Sequence, residues 1–118
     1  MVGVTVMSED DEMFESAVRP AGDLAGVFEY DGQTSYFYVY RTGSQEHKVL
    51  DSIRVTSEPP DFIVSDLEIR WTRAGSKVGL FIRGDLWAVF DTQRSSKHGG
   101  DYRPKTRPTL SAEVIEGF

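Results

Sequence analysis

Along most of this chain hydrophobic and polar residues alternate in runs of five to eight, and glycine, aspartate or proline ends nearly every run. The clearest case is "LEIRWTR". Leu67, Ile69 and Trp71 point one way and Glu68, Arg70 and Thr72 the other, the pattern of a half-solvated antiparallel strand. "AGVFEY" and "SYFYVYR" read as two strands joined by "DGQT", with Asp31-Gly32 as the hairpin signal. "VLDSIRVT" reads as a strand with Ile53 and Val55 on one face, and "SEPPD" breaks it because two prolines fix φ and remove donors. On either side of "RGD", "VGLFIR" and "LWAVFD" are apolar on both faces. Leu80 and Ile82 oppose Phe81; Leu86, Ala88 and Phe90 oppose Trp87 and Val89. Such strands lie centrally, or beneath a covering segment.

The remaining segments are less decisive. Residues 8–18 fit a helix capped by Ser8, and equally a strand in which Phe14 and Val18 alternate with their neighbours. "SSKHGGDYRPKTRP" is polar and rich in glycine and proline, so it reads as a long loop. The tail "TLSAEVIEGF" would form a helical turn or two with Leu110, Val114 and Ile115 downward, or an added edge strand. The pattern as a whole predicts an all-β fold, with α+β as its nearest variant. It is an antiparallel meander of about six to eight strands, forming a curled sheet, a sandwich or a partial barrel, with at most one or two short helices. One domain would span residues 1–118.

The strand "SYFYVYR" sets Tyr36, Tyr38 and Tyr40 on one face and Phe37 and Val39 on the other. If Phe37 and Val39 enter the core with Val27, the tyrosines form an exposed row, and tyrosine gives a large contact area at low entropic cost. The alternative has the tyrosines line a second, half-buried face with their hydroxyls reaching water.

Composition narrows the chemistry. The chain of 118 residues has no cysteine, which removes disulfides, thiolate metal sites and thiol catalysis. Its apolar runs are far shorter than the roughly 20 residues of a membrane helix, and the start "MVGVTVMSEDDE" lacks the basic region of a signal peptide, so a cytoplasmic protein is expected. The net charge is −6 and unevenly spread: residues 1–31 carry eight acids and one base, residues 94–107 five bases and one acid. Overall acidity argues against nucleic acid as a partner and is compatible with a basic protein.

No catalytic set emerges. His47 and His98 lack metal-ligand spacing, and no G-x-S-x-G or phosphate-binding glycine loop is present. Asp66 and Glu68 share a strand face, but Arg70 continues it and would pair with Glu68. Arg83-Gly84-Asp85 reads as a hairpin turn rather than an adhesion motif. In the basic loop, Tyr102 would be available to stack on a base. Neither a metal nor a cofactor is called for.

Two stretches, "AGVFEYDGQTSYFYVY" and "EIRWTRAGSKVGLFIRGDLWAVFD", together carry a resemblance. Their order of a Val-Phe-Glu strand, an Asp-Gly turn, a Tyr-Phe-Tyr strand, a tryptophan strand and a hairpin ending in Ala-Val-Phe-Asp resembles a family of small bacterial proteins catalogued only as domains of unknown function. The resemblance covers about residues 13–107 and implies a compact β-rich domain, with no activity or site residue to carry over. Small bacterial domains of this type are often immunity proteins encoded beside toxins. The expected function is therefore a non-enzymatic protein-binding module, in form an immunity-type inhibitor. Its partner face would consist of Tyr36, Tyr38, Tyr40, Glu29 and Asp31. Two alternatives stand beside it. One is a small-ligand domain or enzyme with a pocket lined by Trp71, Phe81 and Trp87; the other is a homodimer formed through an edge strand or the tyrosine face.

Overall fold

The computed structural model describes residues 12–43, 48–56 and 59–118. Alternation becomes eight strands: β1 (Met13–Val18), β2 (Leu24–Tyr30), β3 (Ser35–Arg41), β4 (Lys48–Thr56), β5 (Leu67–Trp71), β6 (Lys77–Ile82), β7 (Asp85–Asp91) and β8 (Ser96–Gly99). They form two antiparallel four-stranded meanders, β1-β2-β3-β4 and β5-β6-β7-β8, packed face to face as an open sandwich. A 3-10 turn (Val64–Asp66) precedes β5, and one short helix, α1 (Ala112–Ile115), lies near the C-terminus. Of the ambiguous segment 8–18, residues 13–18 are strand, while residues 8–11 lie outside the described residues. No helix among the described residues is long and apolar enough to cross a membrane.

The inner faces supply one continuous core. Phe28, Phe37, Leu80 and Val78 are fully enclosed, and each large apolar side chain so buried contributes about 1.5–3 kcal/mol. Phe37 meets Phe90 at a ring-centroid distance of 5.2 Å. Above them the backbone of β2 comes close enough to the second sheet that a Cβ on Gly26 would stand 2.6 Å from Val78 Cγ2. Cross-strand pairing puts Phe28, not Val27, beside Phe37. Antiparallel partners share a face, so Val27 belongs with Tyr38 on the outside. It is nonetheless only 5% exposed.

Three local features depart from a uniform meander. In β7 the expected alternation fails, because Phe81 pairs with Leu86 and Leu80 with Ala88, leaving Trp87 as the extra residue of a bulge. The bulge lets Trp87 and Ala88 both enter the main core, and it sends Leu86 and Val89 outward with Phe81. The presumed long loop contains β8, an edge strand of poor intrinsic propensity held by pairing with β7. From β8 the chain crosses directly to the other sheet: Gly100 N donates to Trp87 O at 2.9 Å and Tyr102 N to Val55 O at 2.8 Å. Gly99 makes this crossing possible, since its φ is +87° and a Cβ there would lie 2.1 Å from Trp87 O.

Tyr102 is accordingly a core residue and not a free stacking surface. It is 9% exposed and meets Trp87 and Phe62 edge to face at 4.9 and 5.1 Å. Its hydroxyl donates to Asp61 Oδ1 at 2.5 Å, and burial together with that carboxylate pushes the phenol up to about 12. In turn Tyr102, then Arg83, hold the Asp61 carboxyl below its ordinary value. Arg83 and Gly84, both at positive φ, form the two-residue β6–β7 turn, so the "RGD" stretch is a type I′ hairpin connection.

On the outer face of the second sheet, β6 and β7 are covered. Ser111 caps α1, and Leu110, Val114 and Phe118 lie over Phe81, Leu86 and Val89. Phe118 takes the place expected of Ile115, which is 44% exposed, because the helix ends at Ile115 and Gly117, at φ +97°, turns Phe118 back onto the sheet. Lys77 Nζ locks the segment by donating to Glu113 O at 2.8 Å and Glu116 O at 3.1 Å, at the negative end of the helical turn.

Two outcomes follow from this packing. Gly26→Ala forces a methyl group against Val78 and Ile69, and is expected to lower the unfolding free energy in urea by about 1–3 kcal/mol. Because the Asp61 carboxyl is held low in the folded state, its contribution is complete above the ordinary value of 3.8 and is lost as pH falls below it. Urea denaturation across that range should show a shallower acid-side loss for Asp61→Asn than for the unaltered protein.

Candidate functional site

Because Phe37 and Val39 are buried, Tyr36, Tyr38 and Tyr40 occupy the outer face of the first sheet. The register arranges that face in rows. Phe14, Glu29, Tyr36 and Arg54 form one row across β1 to β4; Ser16, Val27, Tyr38 and Ser52 form the next; Val18, Ala25, Tyr40 and Val49 form the third. Large apolar side chains stand exposed at the margins: Phe14 at 60%, Val18 at 56%, Val49 at 51% and Tyr36 at 40%. Within these rows only Glu29 and Arg54 are charged, and they flank Tyr36.

Tyr38 is the fixed point of the row. Its hydroxyl donates to Glu29 Oε1 at 2.9 Å, a diagonal contact between neighbouring strands. Partial burial first, then the Glu29 carboxylate and finally Tyr40 push the Tyr38 phenol up to about 12. It therefore remains a neutral hydrogen-bond donor at any physiological pH. Asp31 has a different task. Its Oδ1 accepts the backbone N–H groups of Gln33 (2.9 Å) and Thr34 (2.8 Å), closing the β2–β3 turn. Those two bonds hold its carboxyl below the ordinary value. Asp31 thus sets the register of the tyrosine strand and stands at the rim of the face.

The structure does not bring Trp71, Phe81 and Trp87 together. Trp71 closes the β1–β5 side of the sandwich, with Nε1 donating to Ala17 O at 2.8 Å and the Arg19 guanidinium 5.6 Å from its ring centroid. Phe81 is on the outer face of the second sheet, between Phe118 and the Arg70 guanidinium. Trp87 is inside, against Tyr102.

Other side chains weighed for chemistry have structural partners. Arg70 pairs with Glu68 at 2.9 Å. Lys97 binds Asp51 at 3.0 Å, Arg94 binds Glu113 at 2.6 Å and Arg107 approaches Asp85 at 3.9 Å, so among the described residues these three cations pair with acids outside residues 1–31. His98 Nε2 lies 3.1 Å from Ser96 Oγ on the edge strand, while His47 is outside the described residues. Among the described residues no group of three His, Cys, Asp or Glu side chains could hold a metal ion.

Sequence comparison places these features in a wider group. A family model described as an uncharacterized protein conserved in bacteria (DUF2251) matches residues 6–111. A curated relative, an uncharacterized protein of Haemophilus influenzae, is 28% identical over 106 residues, covering 81% of this chain and 66% of the relative. The chain therefore spans just under two thirds of that relative's length. No solved structure matches it. With most of its length accounted for by the family model, the chain belongs to this uncharacterised family of conserved bacterial proteins.

Proposed function

We propose that this chain is a non-enzymatic protein-binding module, and that its partner is a basic protein seated on the outer face of the first sheet. The observation that supports this reading is the contrast between the two outer faces. On the second sheet the apolar side chains of β6 and β7 are covered by Leu110, Val114 and Phe118, and β5 turns the charged Glu68 and Arg70 to solvent. The first presents Phe14, Val18, Tyr36 and Val49 to solvent around the half-buried Tyr38 and Tyr40. A contiguous aromatic and aliphatic sheet face of this kind fits an interaction surface better than a solvated one.

Charge selects the partner. Glu12 directly precedes the Met13–Tyr30 pair and Asp31 directly follows it, so both lie at the end of the sheet where Glu29 projects. Three more acids, Glu9, Asp10 and Asp11, come just before in the sequence. A partner with basic residues beside an apolar anchor site would be steered to this end, while the tyrosines supply the desolvated contacts. The form we favour is an immunity-type inhibitor that masks the basic site of a cognate toxin by steric and electrostatic blockade.

Asp31 is unsuitable for testing this, since charge reversal there would open the β2–β3 turn; Tyr36→Ala and Glu29→Lys leave the turn intact. With a basic protein captured from the native host and then purified, each variant is expected to weaken the complex about tenfold, more so at low salt for Glu29→Lys. A substitution on the second sheet, Glu68→Lys, should not. Unchanged affinity in Tyr36→Ala and Glu29→Lys would remove the proposed face. So would light scattering that shows a dimer dependent on Tyr36, which would put a second copy there instead. The geometry of the face has its own check. Glu29→Gln removes the carboxylate that helps hold the proton on Tyr38, so its ring resonances should titrate below about 12 yet still above the ordinary value of 10.0, because burial, the largest cause, remains.

A further inference from the structure

At the end of the sandwich opposite the β2–β3 turn, the two sheets part. The last inward-facing row of the first sheet is Leu24, Arg41 and Lys48, and the facing sheet ends at Phe90 and Asp91. Between them opens a cleft of about 500 Å³, within the range of small-molecule sites. Its floor is core: Leu24, Val39 and Phe90, with Leu50 at the lip where a bulge opposite Val39 and Tyr40 turns it inward. This position differs from the tryptophan-lined pocket considered from the sequence, and it lies on the inner side of the first sheet, away from the tyrosine face.

The charges at the mouth are unequal in their commitments. Each acid around the cleft already has partners. Asp23 is paired with Arg19, Asp51 with Lys97 at 3.0 Å, and Asp91 accepts the N–H groups of Gln93 and Arg94 at 3.0 Å each. Arg41 lines the cleft and forms no ion pair among the described residues, and neither does its cross-strand neighbour Lys48. Glu46, between them in sequence, lies outside the described residues. Among the charged side chains that line the opening, Arg41 is therefore the one with no ion pair among the described residues.

We infer that the end cleft binds a small amphiphilic carboxylate, its apolar body on Leu24, Val39, Leu50 and Phe90 and its carboxylate on Arg41. A guanidinium presents two parallel donors that match one carboxylate. Three carboxylates around the opening repel any anion in proportion to its charge, and so weigh more against a doubly charged head such as a phosphate monoester than against a single carboxylate. The apolar floor of Leu24, Val39 and Phe90 continues the core, so a tail entering it leaves water for apolar surface.

Calorimetric titration of the full chain with octanoate, octan-1-ol and octylamine tests this. Octanoate is expected to bind saturably at one site, with the alcohol and the amine at least about tenfold weaker, one charge-assisted hydrogen-bond pair being worth about that factor. Arg41→Gln should reduce octanoate affinity about tenfold and leave the alcohol unchanged, and Arg41→Lys should fall between. Leu50→Glu should weaken both ligands. Arg41 and Leu50 are both solvent-accessible, so thermal unfolding of the variants should match the unaltered protein. Failure of all three probes to bind would overturn the inference, as would an amine or alcohol that binds as tightly as octanoate, or an Arg41→Gln variant with undiminished octanoate affinity. None of these outcomes bears on the tyrosine face, whose variants are separate.

Discussion

The contact of Phe37 with Phe90 across the sandwich governs the rest of the molecule. A strand has a side-chain period of two, so committing Phe37 to the inter-sheet layer commits Val39 with it and sends Tyr36, Tyr38 and Tyr40 outward. The opposite register would place three phenol hydroxyls in the apolar layer between the sheets, each needing a buried partner at a cost of a few kcal/mol when none is found. The β2–β3 turn enforces the choice, because Asp31 closes it at a length that pairs Phe28 with Phe37 and Glu29 with Tyr36.

Once the two layers are closed, the sheets differ in what covers them. In the second sheet β6 and β7 are apolar on both sides and acquire a third layer from the segment 110–118, anchored by Phe118 over Gly79 and by Lys77 on the carbonyls of α1. The first sheet carries one amphipathic aromatic strand in its middle and a margin of exposed apolar residues. Tyrosine suits such a place, since its ring packs against neighbours while its hydroxyl keeps a partner, here Glu29.

The ionic groups are organised by position more than by number. Exposed pairs such as Arg70–Glu68 and Arg94–Glu113 contribute little to stability individually. The Asp61–Tyr102–Arg83 group matters more, because it ties a core tyrosine to the turn between β6 and β7. Arg41 and Lys48 follow a different rule: they occupy inward-facing positions at the end of the sheet where the opposing layer stops, and Arg41 lines the opening there beside three aspartates that already have partners.

Much of this was legible in the chain itself. Alternation in "LEIRWTR", the Asp-Gly turn and the doubly apolar runs around Arg83-Gly84 specify antiparallel meander strands, because these are local signals of period two and of positive φ; they leave open whether the doubly apolar strands lie centrally or beneath a covering segment. Sequence could not place what depends on long-range register. The bulge at Trp87 inverts the faces of β7 because the curvature of two packed sheets, and not the local pattern, decides where an extra residue is accommodated. The strand "SKHG" forms only because β7 offers an edge to pair with, and Tyr102 is buried only because Gly99 and Gly100 carry the chain from one sheet to the other. By itself the sequence determined which residues share a face wherever a strand runs without a bulge. Tertiary structure decided which face meets another layer, because burial is a property of two surfaces and periodicity describes only one.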